Sequence, residues 1–236
     1  MDVKSAQKSD LGVRTVSAVV MVAVAGLALW AGGGVWALFV GLVAAGVLME
    51  WSRLVMAFSP KLGGQFLWHV GGLVYVGVAS FALLMFRGIA PGAVGMVPVL
   101  GIIGTVIAVD VWAYFTGRKF GGPKIAPSIS PSKTWSGLWG GMAGATVMLF
   151  LISHHDWRFA LAGPPVAVIA QAGDFFESWM KRRAGVKDSG KLIPGHGGLF
   201  DRVDGLLAVC FVLGLALLGS VVFAIFSGAS LLPSPA

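Results

Sequence analysis

Long apolar runs separated by short polar or glycine-rich breaks occupy most of this 236-residue chain. A run of about 20 apolar residues is long enough to cross the hydrocarbon core of a bilayer as a helix. The pattern predicts about seven such spans, approximately at 13–30, 35–49, 67–86, 94–115, 135–152, 159–176 and 206–226. The short alternating segments of a β-barrel are absent, so the fold class predicted is an all-α, polytopic integral membrane helix bundle.

The breaks between these runs are where polar residues collect. Glu50, Arg53 and the segment 59–64 are predicted to form a polar turn, and 116–134 is predicted to be a polar loop. A third break, His154-His155-Asp156, is typical of a solvated turn rather than a metal cluster. The polar N-terminus precedes an apolar run without an obvious cleavage site, which favours a retained first span over a signal peptide.

Composition agrees with a lipid environment. Charged residues make up 11% of the chain and hydrophobic residues 57%, whereas soluble domains carry about 25% charged residues. The single cysteine, Cys210, lies in an apolar run and is interpreted as a packed small hydrophobe. Tryptophans near the predicted span ends favour an aromatic belt at the membrane interface over a base-stacking platform, so no nucleic-acid partner is expected. They are Trp30, Trp36, Trp51, Trp68, Trp135 and Trp157.

The distribution of basic residues predicts the orientation. Of the 17 Lys and Arg residues, only Arg87 and Arg158 fall on the outer side when the N-terminus is placed inside. Such a bias follows the positive-inside rule. The predicted N-terminus is therefore cytoplasmic, and both charged segments lie on that same side of a cell (inner) membrane.

One segment, 177–205, holds six of the 17 basic residues, and together with Asp174 it holds five of the 10 acids. Asp174, Glu177, Ser178 and Lys181 are spaced to share one helix face. An acid at membrane depth is costly and usually faces a polar cavity. The alternative for Asp174 is an ion pair with the lysine of this same helix face.

Asp201 and Asp204 are predicted at the start of the last helix. Carboxylates are favoured there by the helix dipole, which is the purely structural interpretation. The functional interpretation is a metal site, because oxygen ligands from separate segments suit Mg²⁺, which takes few protein carboxylates plus substrate phosphates.

The fixed positions of this segment resemble the signature of the CDP-diacylglycerol synthases, or phosphatidate cytidylyltransferases. They are Ser178, Lys181, Arg182, Lys187, Asp188, His196, Gly197, Gly198, Asp201, Arg202 and Asp204. A second segment resembles the same family through Asp110, Ala113-Tyr114, Gly117-Arg118 and Ser130-Pro131-Ser132-Lys133-Thr134. The resemblance covers about 110–205, which divides a single membrane domain into N-terminal helices, 1–109, and a catalytic region, 110–236.

The resemblance implies transfer of CMP from CTP to phosphatidate, giving CDP-diacylglycerol and pyrophosphate, with Mg²⁺ and a second cation that is either Mg²⁺ or K⁺. The implied catalytic residues are Asp174, Asp201, Lys181, Arg182 and Arg202. The implied metal ligands are Asp174, Asp201 and Asp204. The implied substrate-binding residues are Arg118, Ser130, Lys133, Thr134, Ser178, Lys187, Asp188, His196, Gly197 and Gly198.

Elementary chemistry limits some of these roles. A phosphate monoester has a second pKa of about 6 and is already ionised near neutral pH, so His196 is expected to orient a group rather than remove a proton. Ser130, Lys133 and Thr134 precede a helix, where an anion site and a simple N-cap are compatible. The basic residues also satisfy the positive-inside rule, which accounts for Arg183 and Lys191 without a catalytic role.

Three other functions are less favoured by the sequence. A CTP-dependent lipid kinase would release CDP instead of pyrophosphate, and a CDP-alcohol phosphotransferase would carry an Asp-Gly-x-x-Ala-Arg run, which is missing. A transporter is less favoured because inverted repeats are not found. Gly137, Gly141 and Ala145 form a smooth face on the fifth span, interpreted as helix packing within the bundle, with a homodimer left open.

Overall fold

The computed structural model describes residues 3–88 and 95–227. Within those ranges the chain forms seven long helices, one short helix and two short strands. Their bounds are α1 Val3–Ala31, α2 Gly33–Phe58, α3 Leu62–Arg87, α4 Met96–Phe120, β1 Lys124–Ala126, β2 Ser130–Thr134, α5 Trp135–Ile152, α6 Trp157–Ala160, α7 Gly163–Arg183 and α8 Phe200–Ser227. The predicted start of the fourth span at 94, most of the loop before it and the C-terminal tail lie outside the described residues.

The long helices confirm the predicted polytopic bundle. In the described part of the chain, seven helices are long and apolar enough to cross a membrane, the sixth of them combining α6 and α7. Pro164 and Pro165 stand at the first positions of α7, where a missing backbone N–H is tolerated. The orientation of the N-terminus stays a prediction.

The predicted polar turn at Glu50 and Arg53 is wrong. Helix α2 continues through both residues to Phe58, and the chain becomes extended only at Ser59. The residues after Glu50 explain the continuation, because Trp51, Leu54 and Val55 recur at helical spacing and are buried. The turn to α3 is therefore only Ser59–Lys61.

The predicted loop 116–134 contains regular structure that the all-α prediction missed. Helix α4 extends to Phe120, and β1 and β2 then pair antiparallel, with Lys124 opposite Thr134 and Ala126 opposite Ser130. The N–H of Ile129 closes the turn on the carbonyl of Ala126 at 3.1 Å. This hairpin fixes the backbone of 130–134 directly before α5.

The small-residue face of α5 packs inside the bundle, as predicted. Gly137, Gly141 and Ala145 are all buried, and α5 lies against α4. A Cβ at Gly141 would lie 3.3 Å from the carbonyl oxygen of Val109 on α4. The absence of side chains therefore brings the backbones of α4 and α5 close together.

The core is aromatic between α2, α3, α7 and α8. Trp51 packs against Trp68, Tyr75, Phe176 and Phe200, with ring centroids 5.7–6.3 Å apart. Its indole N–H donates to the carbonyl of Trp68 at 2.9 Å.

Two of the predicted interface tryptophans are thus core residues. Trp36 and Trp51 are both buried inside α2, which contradicts their assignment to the aromatic belt, while Trp30 and Trp157 are exposed. Trp51 is no longer near a helix end because α2 is longer than predicted, whereas Trp36 lies near the start of α2 and donates its indole N–H to the carbonyl of Leu83 on α3 at 3.3 Å. Cys210 is fully buried, which confirms that it is a packed hydrophobe.

Candidate active site

Helix α7 carries the predicted polar face to its end at Arg183, so Asp174 and Lys181 lie on one continuous helix. The hydroxyl of Ser178 donates to Oδ1 of Asp174 at 3.3 Å, one turn apart. Nζ of Lys181 lies 2.5 Å from Oε2 of Glu177 without hydrogen-bond geometry, so that contact is an ion pair. The shared face predicted from the spacing is confirmed.

Lys181 is held between two buried carboxylates. Its ammonium also lies 2.7 Å from Oδ1 of Asp201, at the start of α8. The side chain of Glu177 is 1% exposed and that of Asp201 is 8% exposed. A shared cation between two acids at this burial joins α7 to α8 electrostatically.

Asp201 uses both of its oxygens on protein donors. While Oδ1 pairs with Lys181, Oδ2 accepts the backbone N–H of Ser189 at 3.0 Å and that of Gly198 at 2.8 Å. The N–H of Gly198, a residue for which the resemblance implies substrate binding, is thus directed at a carboxylate of the chain itself. The predicted metal role of Asp201 stays a prediction, and its observed role is to organise the linker.

Asp174 connects the two polar segments of the sequence. Its Oδ2 forms an ion pair with Nζ of Lys133, which comes from β2 at the end of the hairpin. The Lys133 ammonium also lies 5.2 Å from the centre of the Phe175 ring, within cation–π range. The alternative predicted for Asp174, an ion pair with the lysine of its own helix face, is wrong, because Lys181 pairs with Glu177 and Asp201 and the partner of Asp174 comes from the hairpin.

Asp110, Asp174 and Asp204 come from α4, α7 and α8, three helices that contact one another. Helices α7 and α8 are close at this level, since a Cβ at Gly173 would lie 2.6 Å from the carbonyl oxygen of Asp204. We call Asp110, Asp174 and Asp204 the three-helix carboxylates.

These carboxylates offer oxygen donors only, which are the ligands that hard cations prefer. Among the described residues, no group of three or more His, Cys, Asp or Glu side chains is placed to hold a metal ion by itself. Mg²⁺ is commonly bound in proteins through one or two carboxylates, with water and substrate phosphates completing its coordination.

The hairpin positions the remaining residues of the first polar segment. Thr134 caps α5 by accepting the N–H of Gly137 at 3.1 Å, which confirms the N-cap interpretation, and Ser130 is buried. Arg182 of α7 donates to the carbonyl of Ile129 at 3.3 Å and so holds α7 against the hairpin. Arg118 is exposed and donates to the Tyr114 hydroxyl at 2.8 Å, on the predicted face of α4.

The linker between α7 and α8 is folded by its own contacts. The N–H of Ile193 donates to the carbonyl of Gly197, whose φ of +83° is a conformation that favours glycine. The carbonyl of His196 accepts two bonds from Arg202, at 2.7 and 3.2 Å. The imidazole Nδ1 lies 2.7 Å from the Ser17 hydroxyl of α1. Lys187 and Asp188 are exposed in this linker.

Sequence reasoning missed the role of Glu50. Its side chain is buried, with 2% of the residue exposed, and accepts bonds from Ser189 and from the backbone N–H groups of Leu199 and Phe200. The available signal was the helical spacing of Trp51, Leu54 and Val55 after it, which extends α2 through the acid.

Seven helices of the described chain, long and apolar enough to span a membrane, with two polar segments joined through Lys133–Asp174, define an integral membrane protein with a charged, partly buried site. The chain belongs to the cytidylyltransferase family, whose family model matches residues 64–220. That assignment confirms the resemblance identified from 110–205. Glu50 lies before the matched residues.

Similar proteins come from several bacteria. A phosphatidate cytidylyltransferase of Brucella abortus biovar 1 (strain 9-941) is 34% identical over 179 residues, covering 74% of this chain and 65% of that protein. One of Rickettsia conorii (strain Malish 7) is 32% identical over 226 residues, covering 90% of this chain and 94% of that protein. One of Thermotoga maritima is 38% identical over 149 residues. The match thus spans less than two thirds of the Brucella protein's length.

Proposed function

We propose that this chain is a phosphatidate cytidylyltransferase, which transfers CMP from CTP to phosphatidate in phospholipid biosynthesis. A phosphate oxygen of phosphatidate attacks the α-phosphorus of CTP, a new P–O bond forms, and the bond to the β-phosphate breaks. The products are CDP-diacylglycerol and pyrophosphate. The printed names of the relatives and the family of the chain support this assignment.

The observation that carries the proposal is the ion pair between Lys133 and Asp174. It brings together the two polar segments that resemble the family, which are separated by the whole of α5 and α6. With Lys181 and Asp201 alongside, the site contains both cations for phosphates and acids for a metal. A phosphoryl-type displacement needs these two sets of charges together.

The three-helix carboxylates fit a hard cation. Asp174 and Asp204 are the residues that would hold Mg²⁺, with Asp110 near them, and a second cation, Mg²⁺ or K⁺, is part of the same proposal. When bound, the cation would offset the charge that develops on the reacting phosphates. Asp201 belongs to the same proposal as a third ligand. The oxygens of Asp201 already accept from Lys181, Ser189 and Gly198, and those of Asp174 from Ser178 and Lys133, so a bound cation would replace some of these contacts.

The basic side chains have two kinds of role. Arg182, Lys187 and Arg202 are exposed and carry charge suited to CTP and pyrophosphate, whereas Lys181 is held by its two acids. His196 is held by Ser17 and orients the linker. It is not needed as a base, because the attacking phosphate oxygen is already ionised near neutral pH.

An open apolar groove beside this linker favours a lipid substrate. It has a volume of about 700 Å³ and lies between α1, from Gly12 to Met21, and the linker residues Leu192, Ile193 and Pro194. His196 lies two residues after Pro194, and its carbonyl accepts two bonds from the exposed Arg202. Acyl chains in the groove would keep a phosphate head group close to the charged site.

The proposed location is the inner membrane, with the site on the cytoplasmic side, where CTP is dissolved. Single cysteines introduced at Arg118 and Lys187 are expected to react with a membrane-impermeant maleimide from the same side, and a cysteine at Arg158 from the opposite side. The native Cys210 is buried and gives a low background. Labelling in inside-out and in right-side-out vesicles shows from which side of the membrane each cysteine reacts. If positions 118 and 187 react from opposite sides, the proposed topology is wrong.

The reaction itself is tested with purified protein in mixed micelles containing phosphatidate, CTP and Mg²⁺. The expected products are pyrophosphate and CDP-diacylglycerol in equal amounts, with no release when Mg²⁺ is chelated. Release of CDP instead of pyrophosphate identifies a lipid kinase. If neither pyrophosphate nor CDP-diacylglycerol forms, the proposal that this chain transfers CMP to phosphatidate is overturned. Diacylglycerol in place of phosphatidate is the matched substrate control, because it lacks the attacking phosphate.

A further inference from the structure

Glu50 is an acid buried inside a membrane-spanning helix, and its three hydrogen-bond donors all come from the far end of the chain. Oε1 accepts the N–H of Leu199 at 2.9 Å. Oε2 accepts the N–H of Phe200 at 2.8 Å and the hydroxyl of Ser189 at 2.7 Å. Buried acids in membrane helices are costly and are retained where a specific contact requires them.

Two of these donors are the first free N–H groups of α8. A helix leaves its first N–H groups without internal partners, and a side chain with an oxygen acceptor normally satisfies one of them from the N-cap position. That position is Leu199, which has no acceptor in its side chain. Glu50 therefore supplies the cap from α2, and its charge also suits the positive end of the α8 dipole.

The linker is shaped to admit the Glu50 carboxylate. A Cβ at Gly198 would lie 2.5 Å from Oε2 of Glu50, and one at Gly190 would lie 2.7 Å from its carboxyl carbon. Neither position can carry a side chain without moving the acid. The second glycine of the His-Gly-Gly run thus has a packing reason that involves no substrate.

Ser189 extends the contact to the charged site. Its hydroxyl donates to Glu50 while its N–H donates to Asp201, and Asp201 in turn holds Lys181. An unbroken series of polar contacts therefore runs from α2 through the linker to α7. Asp204, one of the three-helix carboxylates, stands one turn after Asp201 on the helix that Glu50 caps.

We propose that Glu50 is a positioning residue for the reaction: by capping α8 and holding Ser189, it fixes Asp201, Asp204 and Lys181 in their catalytic placement. Glu50 does not contact the substrates in this role. The expected effect of Glu50 on kcat rests on the proposed function. Its effect on the order of the linker rests on the hydrogen bonds alone.

The test compares full-length wild type with Glu50→Gln and Ser189→Ala, using Asp156→Asn as the matched acid-to-amide control. Asp156 caps only the short helix α6. A misplacement of about 1 Å can lower a rate about a hundredfold, so we expect kcat of Glu50→Gln to fall about tenfold or more. The KM for CTP is expected to change less than about threefold, as for interactions that act in the transition state.

Hydrogen exchange followed by mass spectrometry is measured on the same samples. Peptides from 185–205 should exchange faster in Glu50→Gln, because glutamine presents an NH₂ group to at least one N–H donor, while peptides from α5 stay unchanged. Ser189→Ala removes one bond only, so we expect a smaller loss of kcat, about threefold to tenfold. As in Glu50→Gln, the peptides from 185–205 should exchange faster than in wild type. Asp156→Asn should match wild type in both measurements.

Each result decides the proposal. Wild-type kcat in Glu50→Gln, unchanged exchange in 185–205, or a rise in KM at constant kcat overturns it. If Glu50→Gln does not purify, Ser189→Ala decides by the same two measurements. If wild type itself transfers no CMP, the proposed function fails, and exchange in 185–205 alone then tests whether Glu50 holds the linker.

Discussion

Replacing Asp174 by asparagine is expected to lower the rate of CMP transfer by about a hundredfold or more while the protein still inserts and purifies. Asparagine keeps the size of the side chain but loses the charge that holds a hard cation and pairs with Lys133. Metal stabilisation of a transition state is worth several kcal/mol, and about 1.4 kcal/mol corresponds to tenfold in rate. The side chains of this pair are 21% and 32% exposed, so little stability depends on it.

The measurement is pyrophosphate release across an Mg²⁺ titration. Asp204→Asn should resemble Asp174→Asn, with a raised Mg²⁺ requirement, because both belong to the three-helix carboxylates. Asp201→Asn tests the remaining predicted ligand, and a loss without a changed Mg²⁺ requirement assigns it to the linker. His196→Gln should be less damaged, and Asp156→Asn is the control. Near-normal rates in Asp174→Asn, or His196→Gln as the most damaged variant, would contradict the metal-centred mechanism.

Replacing Lys181 by methionine is expected to destabilise the protein by about 3–5 kcal/mol, the typical cost of removing one partner from a buried ion pair. The loss arises because Glu177 and Asp201 would remain buried, close together and without their shared cation. Methionine is similar in length and apolar, so packing changes little. The free energy of unfolding in detergent, measured by heating or by denaturant titration, is compared between this variant and wild type.

A second substitution separates lost charge from lost packing. The double variant Lys181→Met with Glu177→Gln should recover part of the stability, because it removes one of the two uncompensated acids. Lys191→Met is the control at an exposed linker lysine and should lie within about 0.5 kcal/mol of wild type. If Lys181→Met is as stable as this control, the ion pairs do not hold α7 to α8.

The spanning helices could be predicted because apolar length alone defines them. Hydrocarbon forces backbone hydrogen bonds to close within each segment, so runs of apolar residues translate directly into helices. The ends were less predictable. The sequence predicts turns or loops at three polar residues that lie within helices, namely Glu50, Arg53 and Arg118. A polar side chain does not by itself end a helix, because a helix ends where solvent or a cap satisfies the backbone groups at its terminus.

The residues of the charged site were predictable as a set, whereas their partners were not. Spacing placed Asp174 and Lys181 on one face of α7, but no periodicity relates Asp174 to Lys133 or Glu50 to Leu199. Those contacts depend on how α2, α7 and α8 pack, which is set by aromatic contacts such as Trp51 with Phe200. Likewise, the resemblance implies only a substrate-binding role for Gly198. Its packing against Glu50 was not predictable, because Glu50 comes from a distant part of the chain.

The long sequence separation of the Glu50 contact has a consequence for biogenesis. Glu50 and Leu199 are 149 residues apart, which corresponds to roughly 7 to 30 seconds of synthesis at about 5–20 residues per second. During that interval α2 exists while the N–H groups that its acid will accept have not yet been made. The carboxylate must therefore remain hydrated or paired elsewhere until α8 arrives, so α8 completes the burial of an acid that was synthesised 149 residues earlier.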